Sequence, residues 1–306
     1  MARPPRPLDP RVGPPVPRFP EGHHVSLSRP IGNCFVPVVG LEAASAGVVE
    51  ARWLVHDAVM ASPEAPYYRR NLALVHHLGF GFHADLVAPG VLTALEPVRA
   101  RNGLVVELGC GSGLLTRHLI DAGHRVIATD ASEAMLDLAR ETVPDAESIT
   151  RLVLPDDPIP ACDAIVSVGH PLSYLPDEAA IDRALTAAAE SLRPGGVLAV
   201  DICDLEWGTA RQGTPNLGRV GDKWAIITEF SIPAPNRFVR QMAIFVQDDD
   251  GVWRRDDERH DNVLIDTSRI PALLAQCGVQ ATVMPAFATE QLPVGLRAVV
   301  GYRNRP

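Results

Sequence analysis

The stretch VVELGCGSGLL, residues 105–115, decides how the chain folds. A short apolar run carrying Glu107 gives way to Gly109, Gly111 and Gly113, and a helical pattern follows at once. Consecutive apolar residues of this length read as a strand buried on both faces, the mark of a parallel sheet. Glycine at every second position lets the backbone turn sharply and come close to a ligand, because no Cβ stands in the way. A dinucleotide fold wants G-x-G-x-x-G, whose third glycine packs helix against strand. Leu114 occupies that place, so the register fails. The alternative pattern E-x-G-x-G-x-G is filled at every position.

Working outward, strand and helix take turns. Strands are expected at 104–108, 125–129, near ITRLVL, at 162–168 and over GVLAVDI, with helices at 114–122, 132–141 and 177–192, the second capped by Ser132. This alternation predicts a doubly wound α/β domain. Asp130 closes the second strand, where a carboxylate can accept hydrogen bonds from two ribose hydroxyls of an adenosine moiety. Past residue 204 a polar loop leads into KWAIITEFSI, RFVRQMAIFVQ and VWRRDDERHDNVLI, a short antiparallel meander, before a helix and two closing strands. Upstream, helical periodicity covers 42–60, 67–79 and GVLTALEPV. The expected organisation is a proline-rich extended arm (1–40), an N-terminal helical lid (41–100), the α/β core (101–204), a loop and antiparallel insert over the acceptor site (205–266), and the last helix and strands of the core (267–306).

A formal net charge of −9 in 306 residues argues against a surface made to neutralise nucleic-acid phosphates or anionic lipid. The five cysteines form no CxxC pair and have no zinc-type spacing, so no metal is expected and a reducing cytoplasm fits. No apolar run reaches the roughly 18 residues of a membrane span, and the N-terminus lacks the apolar core of a signal peptide. Neither nucleic acid nor membrane is expected as a partner. The N-terminal arm leaves a homo-oligomer open.

The segment VVELGCGSGLLTRHLIDAGHRVIATDASEAMLDLAR, with CDAIVSVGHPLSYL and LRPGGVLAVDI after it, resembles the class I S-adenosylmethionine-dependent methyltransferases of small-molecule type. The resemblance covers residues 67–303 and is strongest between 104 and 202. It implies a doubly wound, mostly parallel seven-stranded sheet, S-adenosyl-L-methionine as cofactor and S-adenosyl-L-homocysteine as product. Glu107 then supports the loop and the methionine end, Gly109, Cys110, Gly111 and Gly113 lie against the cofactor, Asp130 holds the ribose, and Ala131 and Met135 lie near the adenine. Asp156 and Asp157, in VLPDDPIP, offer an acid for the adenine amino group without a clear register.

For the acceptor, His170 in SVGHPLSYL falls at the carboxyl edge of the sheet and is the first candidate for a base. Glu258 and His260, two apart on a strand, share a face that could point toward the acceptor. Tyr67, Tyr68, His76, His77 and His83 concentrate rings in the lid, with Tyr68 assigned to the cofactor; His76 and His77, adjacent on a helix, diverge by about 100° and cannot share a metal. Trp207 and Trp224 are expected to line the pocket, and Tyr174 to pack. The expectation is methyl transfer to a small-molecule acceptor, with O-, N- or C-methylation left open. The competing reading is a catalytically silent cofactor-binding regulator or scaffold on the same fold.

Overall fold

The computed structural model describes residues 67–305, so the proline-rich arm and the helix expected over 42–60 lie outside the described residues. Two helices come first, α1 (Arg70–Gly79) and α2 (Phe82–Arg99). Then follow β1 (Leu104–Leu108), α3 (Leu114–Asp121), β2 (Arg125–Asp130), α4 (Glu133–Thr142), β3 (Ser148–Arg151), β4 (Cys162–Ser167), α5 (Glu178–Ser191) and β5 (Leu192–Cys203). A short helix α6 (Leu205–Thr209) leads to β6 (Leu217–Val220), β7 (Trp224–Ala234), β8 (Arg237–Gln247) and β9 (Trp253–Val263). The chain closes with α7 (Ile270–Gln276), β10 (Val279–Met284) and β11 (Leu296–Arg303).

Seven strands form one sheet in the order β3-β2-β1-β4-β5-β11-β10, with β11 running against its neighbours. β1 is an interior strand and pairs in parallel with β2 and β4, which explains its mostly apolar sequence. Its alternate residues feed two cores. Val106 and Leu108 pack with Ile181 and Leu185 of α5 and Leu274 of α7, whereas Val105 packs with Val91 and Leu95 of α2 and Leu119 of α3. Each such fully buried aliphatic side chain contributes about 1.5–3 kcal/mol. The strand order reverses between β1 and β4, so their carboxyl ends open a crevice where open α/β sheets take their ligands.

Four strands, β6-β7-β8-β9, make the antiparallel insert. The polar loop expected after residue 204 hides both α6 and β6, elements too short to show a period. The helix expected over GVLTALEPV begins earlier, at Phe82, and passes through Pro89. The buried stripe Val87, Val91, Leu95 and Val98 continues across that proline, so tertiary packing outweighs the one hydrogen bond it removes. Among the described residues no single helix is long and apolar enough to cross a membrane.

Candidate active site

The turn after β1 is fastened from below. The Gly109 and Cys110 N–H groups both donate to the Thr129 carbonyl at 2.8 Å, and the Thr129 hydroxyl donates to the Glu107 carbonyl at 2.8 Å. Gly109, Gly111 and Gly113 all have positive φ. A Cβ on Gly109 would meet Pro171 in the turn after β4, so this glycine keeps the crevice narrow. Gly113 serves another purpose than the sequence suggests: a Cβ there would meet Val143 and Ala139, so its close approach is to α4. Gly113 is therefore a packing position and lines neither cavity described below. Cys110 also turns its side chain away, burying the thiol, which donates to the Gly111 carbonyl, among Leu136, Ala139 and Val143. Cys110 nonetheless borders the chamber.

Asp130 sits at the end of β2 and accepts from Gly111 N–H at 2.9 Å and Ser132 N–H at 2.8 Å. Burial raises its pKa, and these backbone bonds oppose the shift. Glu107 is buried at the end of β1 and accepts from the Thr116 hydroxyl at 2.7 Å. Burial pushes this carboxyl up to about 8; the Thr116 bond opposes the shift and the charge of Asp130 adds to it.

Two cavities meet over this turn. A slot of about 330 Å³ is lined by Asp130, Ala131, Met135, the backbone stretch Leu152–Leu154, and Tyr174. A chamber of about 310 Å³ is lined by Glu107, Ser112, His83, His170, Trp207, Arg240 and His260. Tyr68, His76, Gly109, Gly111, Val168 and Gly169 border both. The slot has the size and chemistry for an adenosine moiety: an apolar wall from Met135 and Leu152, and a carboxylate at the strand end whose remaining lone pairs can accept hydroxyl protons. Asp157 accepts from Val153 N–H at 2.8 Å and so shapes the turn beside the slot, while neither Asp156 nor Asp157 lines it.

A sequence-family model described as a methyltransferase domain matches residues 105–196. The trans-aconitate 2-methyltransferase of Variovorax paradoxus (strain S110) is 36% identical over 102 residues, which is 33% of this chain and 38% of that protein. A Geobacillus sp. (strain WCH70) protein named only as a candidate methyltransferase is 23% identical over 198 residues, 62% of this chain and 78% of its own. Among solved structures, the sugar N-methyltransferase KedS8 from Streptoalloteichus sp. superposes with a TM-score of 0.62 at 20% identity, covering 82% of this chain and 100% of that one. An S-adenosylmethionine-dependent methyltransferase from Clostridium acetobutylicum gives the same TM-score at 17% identity, covering 76% and 96%. Residues 105–196 thus carry a methyltransferase domain, and the described residues have the fold of the class I S-adenosylmethionine-dependent methyltransferases.

Within this methyltransferase, the chamber side is assembled from distant segments. His170 has φ 52° and follows Gly169 at φ 88°, so the turn after β4 is left-handed at two successive residues. A non-glycine residue there costs of order 1–2 kcal/mol. The fully buried Asp201 at the end of β5 offsets this cost, accepting from Gly169 N–H at 3.0 Å and His170 N–H at 2.6 Å. Asp201 also bonds His83 Nε2 at 2.9 Å. The His170 ring stacks on Tyr174, its Nδ1 is buried without a partner, and burial together with the charge of Arg240 lowers it to about 3.

Glu258 and His260 do share the inner face of β9, together with Asn262, but only His260 reaches the chamber. Glu258 lies behind it, accepting from Tyr68 N–H at 2.9 Å, Arg69 N–H at 2.8 Å and bonding His260 Nε2 at 2.9 Å. It therefore fastens the start of the lid. Burial raises Glu258 to about 7 and, with the charge of Arg240, lowers His260 to about 2. His76 faces the chamber and His77 bonds the Ser112 hydroxyl at 3.0 Å, so the two histidines diverge as helix geometry requires. Trp207 lines the chamber; Trp224 does not, packing instead with Leu72, Val75 and Met242 between α1 and the insert sheet. An indole at the start of β7 is the material that holds the lid to the insert.

Arg240 and Asp201 were missed. Each leaves a signal in its strand: Arg240 interrupts the inward row Phe238, Met242, Ile244, and Asp201 interrupts the apolar run of β5. A charge in a row of buried residues is costly unless it has a task.

Proposed function

We propose that this methyltransferase acts on a small-molecule acceptor seated in the chamber, with His83 as general base where the acceptor atom carries a proton. The meeting of slot and chamber at Gly109, Gly111 and Gly169 carries the reading, because it brings a slot sized for a nucleoside and a second cavity bearing histidine and arginine side chains edge to edge. Asp130, Ala131, Met135 and Gly111 hold the nucleoside end of the cofactor, Tyr68 covers it, and Glu107 faces the methionine end. When bound, S-adenosylmethionine supplies a methyl group on a positively charged sulfur, so the chain's own residues have to position the acceptor, exclude water and take up a proton.

His83 suits the last task better than His170 or His260. Asp201 accepts three hydrogen bonds and offers none, which sets His83 Nε2 as the protonated nitrogen and leaves Nδ1 as an acceptor. His260 has both nitrogens engaged, Nε2 by Glu258 and Nδ1 by the Tyr174 hydroxyl at 3.3 Å. His170 Nδ1 has no partner but is buried, out of reach of an acceptor.

Calorimetric titration with S-adenosylhomocysteine tests the cofactor site, and a screen of phenols, amines, sugars and carboxylates for the gain of one methyl tests the acceptor class. His83→Asn should lower turnover of a hydroxyl or amine acceptor about 10²- to 10⁴-fold with S-adenosylhomocysteine affinity unchanged. Turnover within threefold of wild type would remove His83 from the chemistry.

A further inference from the structure

Arg240 stands on β8 directly opposite His260 on β9, and its side chain enters the chamber from the insert sheet. One terminal nitrogen donates to the Tyr174 hydroxyl and lies 3.5 Å from His260 Nδ1. Its Nε is buried and has no partner. Among the described residues no carboxylate pairs with it. Glu258 is spent on Tyr68, Arg69 and His260, and Glu107 is bonded to Thr116.

Three of the four imidazoles lining the chamber carry no charge that could substitute for Arg240. Burial and the arginine's own field hold His76, His170 and His260 neutral at ordinary pH, at about 4, 3 and 2. The chamber lining thus contains four imidazoles but one Lys or Arg, fixed by strand register and by Tyr174. A guanidinium withdrawn from water with unused donors is costly until an anion meets it, and its planar fork matches two oxygens of a carboxylate or phosphate.

Resting on the methyltransfer reading above, we infer that Arg240 anchors an oxyanion of the acceptor, so that the substrate class is a small molecule bearing a carboxylate or a phosphate group. Tyr174 holds the guanidinium in place, and Arg240 is the one Lys or Arg side chain in the chamber lining.

The test separates this inference from its foundation. Titration with S-adenosylhomocysteine is done first; absence of binding would sink the methyltransferase reading itself. The loaded protein is then melted with malonate, inorganic phosphate or neutral malonamide at matched ionic strength. Malonate or phosphate should raise the melting temperature and malonamide should not, and whichever anion acts names the group. Arg240→Met should lose the shift while still binding S-adenosylhomocysteine, and Arg240→Lys should retain part of it. For acceptors found by the methyl-gain screen, the charged member of an acid–ester or phosphate–alcohol pair should lead by about 10- to 100-fold in kcat/KM, a preference Arg240→Met abolishes. Three results would overturn the inference: no anion shift in the wild type, an equal shift in Arg240→Met, or a variant that loses S-adenosylhomocysteine yet binds 5′-methylthioadenosine normally. The last would give Arg240 to the cofactor's own carboxylate, which 5′-methylthioadenosine lacks.

Discussion

The proposed cofactor cradle takes Gly109, Gly111, Asp130 and Met135 from one short stretch of chain, with Glu107 of the same stretch on the chamber side, whereas the chamber gathers His83 from α2, His170 from the turn after β4 and Arg240 and His260 from the insert, and Asp201 of β5 holds His83. The cradle is shaped by parallel pairing of β1 with β2 and by backbone bonds to Thr129, all local consequences of two strands and a turn. The chamber depends instead on α1 being held against the insert, where Trp224 packs with Leu72 and Val75 and Glu258 accepts from Tyr68 and Arg69. The two regions should therefore fail separately.

The largest effect expected from a single change is at Trp224. Trp224→Ala should cost about 3–5 kcal/mol of lid packing. Hydrogen exchange should then speed up over α1 and β7 while β1, β2 and β4 stay protected, and methyl transfer should fall further than nucleoside binding. Uniform loss of protection across both sheets would break the comparison, because it would make lid and core one cooperative unit.

On the cradle side, Asp130→Ala should weaken S-adenosylhomocysteine by about 1–3 kcal/mol, read by calorimetry. The carboxylate accepts two backbone N–H groups even without ligand, so part of the loss comes from a looser Gly111 turn. Asp130→Asn keeps one oxygen acceptor and should fall between. An unchanged affinity in the alanine variant would move the ribose site elsewhere.

The same contrast explains what could be read from the sequence. The strand at 104–108, the helix capped by Ser132 and the place of Asp130 follow from patterns within a few residues, and the structure has each of them. Gly113 shows the limit even there: its spacing matches a ligand loop, but its close neighbour is Val143, thirty residues on and just past the end of α4. The chamber was readable only as a set of residue types. Nothing near His83 announces that its partner is Asp201, and nothing near Arg240 announces Tyr174, because both pairings arise from strand order and crossover. Trp224 was misread for the same reason, since a tryptophan must be buried somewhere and the sequence does not say against what.

Glu107 sharpens the comparison through pH. Its pKa is about 8 in the folded protein against 4.5 in an open chain, so the native state keeps a proton that the unfolded state has released. The stability tied to that proton is complete below pH 4.5 and is lost as pH rises through 8, at roughly 1.4 kcal/mol per pH unit between them. The lowered histidines run the other way, complete above 6.5 and lost as pH falls, whereas Glu258, raised to about 7, runs with Glu107 and is still half protonated at pH 7. Between pH 7 and 8 Glu107 carries the larger share of the loss and Glu258 the remainder. Denaturant unfolding of the ligand-free protein should lose about 1 kcal/mol across that unit, and Glu107→Gln should flatten the loss.

The smallest expected effect lies where the two regions touch. Ser132 Oγ accepts from Met135 N–H at 3.2 Å, capping α4, and donates to the Tyr68 carbonyl at 2.8 Å, tying the lid to the cradle. Ser132→Ala removes both bonds and should cost about 1 kcal/mol. Ser132→Gly also removes the hydroxyl, but glycine is tolerated at a helix N-cap, so its stability should fall by only a few tenths of a kcal/mol. If the tie to Tyr68 retains the cofactor, both variants should release S-adenosylhomocysteine faster by a similar factor despite their different stabilities. If dissociation instead follows stability, slower in the glycine variant than in the alanine one, Ser132 acts only through its own helix and Tyr68 is held by Glu258 alone.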